Sequence, residues 1–503
     1  MVVELVKRVG AERVALLAVD PHKEGAKMRL TTYCGDELIP PTEYRHTASD
    51  MGRMMADVEA VAAKRGLLGV VAGVELAGRN HRLVKRTLRG KWPVRMIHPY
   101  VTSHLRRPAS PGVKSDDVDL EAMECALRDG YGFEERELPP FHRKLREWSR
   151  AREELVAMCA AERCRFLERL QELMPGYARL FGDLWDGSGA LALVELVATP
   201  AQLRHWSADD IRKALRKKGA RLRGATVGKV MSWAADAPDS EPELLEHRRE
   251  ILLDCLGRTR RLAADIDRYE AGLFGMLVQH RGVLLLGAQG VNVVSAASYV
   301  AELGPVDGYI APKHIAGRAG LYPSRSQSGA TDHADGPMVK ARNAWLRDAL
   351  MELARGLTLH NAHFKTWAGL RRPAWSTKLI WVSVANHFAR ASYHILTEGA
   401  AYRHPSGLGH EAVTPKLLDF ALQHGVGEEE VFQGVELAAR QLPANALPME
   451  LDALADEALM RRKLSRKRPS KELLERIVKM LKSTGEGAKL KGGKHAVGAD
   501  NVN

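Results

Sequence analysis

Four acidic side chains, Asp20, Glu75, Asp116 and Asp119, carry the densest chemical information in this 503-residue chain. Asp20 closes the apolar run Val14-Ala15-Leu16-Leu17-Ala18-Val19, and Glu75 closes a second run from Leu67 to Val74. Both runs are short, uninterrupted and partly β-branched, the pattern of central strands covered on both faces. A carboxylate just past such a strand sits at the carboxyl edge of the sheet. Asp116 and Asp119 lie in Lys114-Ser115-Asp116-Asp117-Val118-Asp119-Leu120. In a helix that starts there, residues three apart share a face. Four converging carboxylates repel one another unless cations neutralise them, and hard divalent ions with oxygen ligands, Mg²⁺ above all, suit such a set. On spacing alone another interpretation stands beside this one: Asp116 caps a helix and Glu75 is surface charge.

The elements that must position these residues can be read around them. After the first strand, Lys27 to Tyr33 and Glu37 to Tyr44 read as two more strands, joined at Cys34-Gly35-Asp36. Ser49-Asp50 then caps an expected helix with Met51, Met54, Met55, Val58 and Val61 on one face. The strand ending at Glu75 follows, then a helix over about 78–88 and a short strand, Val94 to Ile97. A hairpin group of strands followed by alternating helices and strands predicts an α/β domain over 10–135, with a mixed sheet of the RNase H (RuvC-like) type.

Beyond Pro139-Pro140 the pattern turns helical. Leu145, Trp148, Leu155, Cys159, Phe166, Leu170 and Leu173 recur at helical spacing, and so do Leu245, Leu252, Cys255, Leu262, Ile266, Tyr269, Leu273 and Met276. Narrow apolar stripes on two long helices over 140–280 suit an antiparallel hairpin or an oligomerising coiled coil. Within 282–304, Gly287 and Gly290 separate two expected helices in a helix-hairpin-helix-like element. Its backbone N–H groups can receive a phosphate, or the turn can be tight and carry no ligand.

Composition narrows the function classes. No apolar stretch reaches the length that spans a bilayer, and Met1 to Leu5 opens no charged leader, so a cytoplasmic protein is expected. The five cysteines are scattered without a matching His/Cys pair, which argues against structural zinc. No His-Glu-x-x-His pattern and no phosphate-binding GxxxxGK[ST] loop occurs, so an ATP-driven mechanism has no support. The net charge of +13 favours a polyanionic partner. The surplus concentrates in two places: Arg212, Lys213, Arg216, Lys217, Lys218, Arg221 and Arg223, and residues 460–503, with 13 Lys/Arg against 4 Asp/Glu. The end of the chain, from Gly485 on, reads as a disordered basic tail of a helical extension over 403–503.

The segment Gly320-Leu321-Tyr322-Pro323-Ser324-Arg325-Ser326-Gln327-Ser328-Gly329, followed by Val339-Lys340-Ala341-Arg342-Asn343-Ala344-Trp345-Leu346, adds a resemblance. Together with the ordered Asp20, Glu75 and Lys-Ser-Asp-x-x-Asp positions, the glycine turn before Ala301-Glu302-Leu303-Gly304, and Trp381-Val382-Ser383-Val384-Ala385-Asn386, it resembles the IS110 (DEDD) insertion-sequence transposases, relatives of the Piv DNA invertase. The likeness covers residues 13 to about 402. The chain departs from the family pattern at Pro21-His22, Leu76-Ala77 and Arg342.

The resemblance implies a serine-dependent DNA recombinase, with a mostly helical C-terminal transposase domain over 281–402. Ser328 is then the expected nucleophile, with Ser326 and Ser324 as register alternatives. Asp20, Glu75, Asp116 and Asp119 become ligands of Mg²⁺, and Gly287, Gly290, Arg318, Arg325, Lys340 and Arg342 become nucleic-acid contacts. The implied partners are donor and target DNA, a structured non-coding guide RNA and further copies of the chain in a dimer or tetramer, acting at the prokaryotic nucleoid. A phosphoserine link conserves the energy of the cut strand, in keeping with the missing ATP loop. Two alternatives stand: a metal-only RNase H-like nuclease of the junction-resolvase type, and a non-catalytic nucleic-acid-binding derivative of a transposase.

Overall fold

The computed structural model describes residues 2–109, 112, 114–135, 137–197, 199–329, 331–333, 336–339, 342–402, 411–456, 460 and 468–492. The chain divides into two compact units, Met1–Glu137 and Leu138–Asn503.

The first unit is built on a five-stranded mixed sheet of order β3-β2-β1-β4-β5. Its strands are β1 (Val14–Pro21), β2 (Gly25–Thr32), β3 (Glu37–Arg45), β4 (Gly69–Glu75) and β5 (Val94–Ile97). β1 runs antiparallel to β2 and parallel to β4, and β4 runs parallel to β5. Six consecutive residues of β1, Val14 to Val19, are buried, as a central strand covered on both faces requires. The period of two then sorts its side chains. Ala15, Leu17 and Val19 pack with Met51, Met54 and Val58 of α2 (Ala48–Lys64) and with Val84 and Leu88 of α3 (His81–Leu88). Leu16 and Ala18 face the other way, towards α1 (Val2–Val9) and α5 (Asp116–Arg128), through Val2, Leu120, Met123, Ala126 and Leu127. The remaining helix, α4 (Pro99–Ala109), precedes α5 and lends Val101 and Leu105 to that second core.

Gly73 sets how closely α5 lies on the sheet. A Cβ at this position would stand 2.8 Å from Leu127 Cδ1 and 2.8 Å from Ile97 Cδ1, so only glycine admits the observed approach.

In the second unit, α6 (Pro140–Leu173) and α11 (Leu245–Leu277) pair antiparallel within the chain. Trp148 meets Tyr269 at a 4.7 Å centroid distance, and Arg258 pairs with Glu162 at 2.6 Å further along. Between the two lie α7 (Ser188–Leu196), α8 (Pro200–Arg204), α9 (Ala208–Lys217) and α10 (Gly224–Asp236). These close a separate core around Phe166, Tyr177, Leu193, Ile211 and Val227.

The other end of the hairpin joins a larger core. It contains a 3₁₀ turn (Arg281–Gly287), α12 (Val293–Leu303), α13 (Lys313–Ala319), α14 (Ala344–His360), α15 (Ala362–Arg371) and α16 (Thr377–Glu398). The later helices α17 (Val413–Gln423), α18 (Glu428–Ala439), α19 (Leu447–Ala455) and α20 (Lys471–Gly492) pack into the same core through Leu417, Val435, Leu447 and Ile477.

Four local expectations change. The cap of α2 is Thr47, whose side chain accepts from Asp50 N, while Asp50 itself accepts from Arg45 N. α3 begins at His81. The first half of the glycine element is a 3₁₀ turn, with Val283 to Leu286 all buried. The expected tail beginning at Gly485 is helical to Gly492, carried on by the stripe Leu473, Ile477 and Leu481. Residues 493–503 of that tail lie outside the described residues.

Candidate active site

The register of β1 on β4 pairs Val19 with Val74, which sets Asp20 and Glu75 side by side at the carboxyl edge of two parallel strands. Side-chain alternation puts Asp20 on the face of Leu16 and Ala18, and Glu75 on the face of Val71. That is the face covered by α5. The Ser115 side chain caps α5 by accepting from Val118 N at 3.3 Å, so Asp116 begins the helix instead of capping it. Acidic residues in a first turn are favoured by the helix dipole, which helps to hold three of them here. Asp119 is buried at 7% exposure, Asp20 and Glu75 are half-buried, and Asp116 is exposed.

Electrostatics report the convergence. Burial raises the Asp20 carboxyl first, and the charges of Glu75, Asp116 and Asp119 add to it, bringing it to about 6 against a small opposing effect of His22. Asp119 accepts a charge-assisted hydrogen bond from Arg106 of α4, and Asp117, outside the set, pairs with Lys27 at 2.6 Å. An all-oxygen donor set with surplus negative charge fits a hard divalent cation. Among the described residues, the one trio of His, Cys, Asp or Glu ligand atoms within 4.8 Å of one another is elsewhere, at Asp267, Glu270 and His424. There both imidazole nitrogens already face carboxylates, at 2.9 Å to Asp267 and 3.1 Å to Glu270, and Arg152 also binds Glu270.

Ser328 belongs to the second unit. It ends β6 (Ser326–Ser328), which pairs antiparallel with β7 (Thr331–His333): Ser328 lies opposite Thr331 and Ser326 opposite His333. Gly329 turns the hairpin at φ 57°. Ser326 and Ser328 share one face of the ribbon and are exposed. The stem below continues through Ser324 N to Pro337 O (2.9 Å), a Pro323–Met338 bridge and Val339 N to Tyr322 O (3.2 Å).

Residues conspicuous in the sequence frame this hairpin. Asn386 Nδ2 donates to Leu321 O at 2.9 Å. Asn343 caps α14 by accepting from Leu346 N, and its own N–H donates to Arg318 O. Glu302, 3% exposed, takes two hydrogen bonds from Arg150 at 2.7 and 3.1 Å, tying α12 to α6.

The expected nucleic-acid contacts fall in different settings. Arg318 donates to Leu303 O and Tyr309 OH and is half-buried. Exposed Arg325 grips Asp332 at 2.8 and 2.5 Å. Exposed Arg342 donates to Tyr322 OH at 3.1 Å. Lys340 lies outside the described residues. Gly287 is buried, and Gly290, at φ 89°, crosses Gly356 so closely that a Cβ would meet the Gly356 carbonyl oxygen at 2.3 Å.

Two further contributions carried no signal in the sequence, and a third carried a readable one. Arg106 reaches Asp119 from a different helix, with no motif to mark it. Lys416, part-buried, donates from Nζ to the carbonyls of Leu286 (2.7 Å), Ala288 (2.9 Å) and Val291 (2.8 Å) and pairs with Glu411 at 2.6 Å, and burial brings its pKa down to about 7. The alternation Trp367, Arg371, Arg372, Trp375, Lys378 was readable as aromatic and basic residues interleaved on one stretch.

Comparison with known families then gives this geometry its class. Residues 17–175 match the DEDD-type IS110 model described as a transposase, and residues 283–368 match the model described as the transposase IS116/IS110/IS902 family. Both matches are to enzymes that cut and rejoin DNA. The chain thus carries two transposase domains of the IS110 type, which imply DNA transposition or recombination. The DEDD-type domain also points to divalent-metal use. No curated protein matches the chain, and no helix among the described residues is long and apolar enough to cross a membrane.

Proposed function

We propose that the protein is a serine-dependent DNA recombinase whose first unit is an RNase H/RuvC-like metal domain. The observation that carries the metal half is the register that sets Asp20 beside Glu75 on the face covered by α5, where burial first and then the charges of Glu75, Asp116 and Asp119 push the Asp20 carboxyl up. The sheet order, with β2 antiparallel beside a parallel β1-β4-β5 group, supports the RNase H-like assignment. Asp20, Glu75, Asp116 and Asp119 would hold Mg²⁺, which when bound neutralises charge on a phosphodiester and acidifies a nearby hydroxyl. Arg106 holds Asp119 in place beside the other three acids.

Ser328, at the exposed tip of a narrow ribbon, is shaped to enter a groove. Its Oγ would bond to phosphorus as one P–O bond to a deoxyribose breaks, leaving a free hydroxyl end that can reverse the step without ATP. Ser326 shares the same ribbon face and is the alternative nucleophile. The net charge of +13 and the cluster on and after α9 support donor and target DNA, and a structured guide RNA, as partners. Synapsis of two duplexes calls for a dimer or tetramer, working at the nucleoid.

One observation favours the metal-only nuclease: all four carboxylates lie in one unit with its own core, and the serine lies in the other. A covalent trap separates the readings. End-labelled junction DNA, the element-flanking RNA and Mg²⁺ are incubated with the protein and run on a denaturing gel. Label moving with the protein, lost in both Ser328→Ala and Asp116→Ala, is the expected result. Cleavage without an adduct, unaffected by Ser328→Ala, would make the protein a metal-only nuclease.

A further inference from the structure

Beneath the serine ribbon, between its stem and the N-terminal half of α16, lies a cavity of about 930 Å³, in the range of pockets that enclose a small organic ligand. Tyr322, Pro323 and Met338 form one wall, and Trp375, Leu379 and Val382 the other. Arg347, Lys378, His387 and Arg390 also line it, and among the described residues no acidic side chain does. A larger cavity of about 1060 Å³ in the same unit is predominantly acidic, with six carboxylates, among them Glu153, Asp348 and Glu352, against Arg152 and Lys416. A phosphate backbone is repelled by the second and drawn to the first.

Trp375 is exposed at 36%, yet it is held. Its ring stands edge-on to Trp367 at 6.0 Å, and the Arg371 guanidinium lies over both indoles, 3.8 Å from Trp367 and 5.6 Å from Trp375. A braced indole open to solvent, with apolar walls and cations alongside, is a platform for the flat face of a base.

We propose that this cavity receives an unstacked nucleotide of the DNA strand that the enzyme cuts, with the base against Trp375 and Tyr322 and the flanking phosphates on Lys378 and Arg390. The proposal rests on the reading of the Ser328 ribbon as the DNA-entering element. Pro323 lies five residues before Ser328, a distance of roughly 17 Å at about 3.3 Å per strand residue. With bases spaced about 3.4 Å apart along a duplex, the captured nucleotide lies within roughly five positions of the scissile phosphate. Withdrawing a base there loosens the duplex where the strand must be cut, at an unstacking cost that falls on sequence-dependent steps.

The test uses the full chain with DNA 20-mers carrying 5-iodo-deoxyuridine, single-stranded and duplex, and with an RNA of the same sequence. Irradiated complexes are digested and the adducts mapped by mass spectrometry. The expected result is a DNA adduct on Trp375 or Tyr322. Trp375→Ala should lose it and weaken DNA binding roughly five- to a hundredfold, while Trp375→Phe keeps most of both. Arg390→Glu, a surface change that leaves the fold intact, should weaken binding without moving the adduct. Ser328→Ala should retain the adduct, so failure of the serine mechanism and failure of the pocket are read separately. DNA adducts confined to other segments, with Trp375→Ala binding as tightly as the native chain, would overturn the proposal. So would an adduct formed with RNA alone.

Discussion

Burial and three like charges hold the Asp20 carboxyl near 6, so at neutral pH the folded chain carries a strained, ionised group. The folded value lies above the ordinary 3.8, so the stability Asp20 contributes is intact below about pH 4 and is lost as pH rises through about 6. Asp20→Asn should therefore melt higher than the native chain above pH 6 in a chelating buffer, by about 1 kcal/mol once solvent screening is allowed for. Saturating Mg²⁺ should stabilise the native chain more than the variant. A variant that melts lower in chelator at pH 7 would show that the four acids do not converge. Arg106→Gln tests the same site from its cationic side. It leaves Asp119 buried without its partner and should cost roughly 1–3 kcal/mol, partly restored by Mg²⁺, as read by thermal unfolding with and without the ion.

At the scale of elements, the acidic site depends on how α5 meets the sheet. Gly73→Val would drive a side chain into Leu127 and Ile97, and overpacking of this kind typically costs about 1–3 kcal/mol. The expected signature is a weaker Mg²⁺ affinity in calorimetry although no ligand has been changed. A second element answers to pH. His280 caps the 3₁₀ turn by accepting from Gly282 N through Nδ1, an atom that must be unprotonated to do so. Burial, with His142 and Arg281 nearby, brings its pKa down to about 4. The unfolded chain takes up a proton near 6.5 while the folded chain resists until about 4, so stability is present above 6.5 and is lost as pH falls across that window. The loss amounts to about 3 kcal/mol at most, and His280→Gln should flatten the melting curve against pH by a corresponding amount. An unchanged slope would place the acid sensitivity elsewhere. Much of this was legible in the chain. The apolar runs before Asp20 and Glu75 announced buried central strands, and the run from Lys114 to Leu120 announced the start of α5, although Ser115 and not Asp116 caps it. Arg106 was not legible, because its partnership with Asp119 arises only when α4 folds over α5. Nor was the 3₁₀ turn, since Val283 to Leu286 are apolar throughout and read equally as an α-helix.

On the scale of the whole molecule, residues beyond 411 are part of the second unit's core, although the resemblance to the transposases stops near 402. Leu417, Leu418, Val435, Ile477 and Leu481 are buried against the elements that carry the serine ribbon. A chain ended at residue 402 should lose cooperative unfolding of that unit and aggregate, while the Asp20 sheet, with its own two cores, keeps its melting transition. A truncated chain that still unfolds in both transitions would show the late helices to be dispensable. Lys416 makes the dependence chemical as well as mechanical. Its ammonium sits where the carbonyls of Leu286, Ala288 and Val291 converge beside the Glu411 carboxylate, so the glycine turn is served by a cation that the chain itself supplies. Exchanging potassium for lithium or caesium at fixed ionic strength should leave nucleic-acid affinity unmoved, whereas in Lys416→Met the identity of the salt should begin to matter.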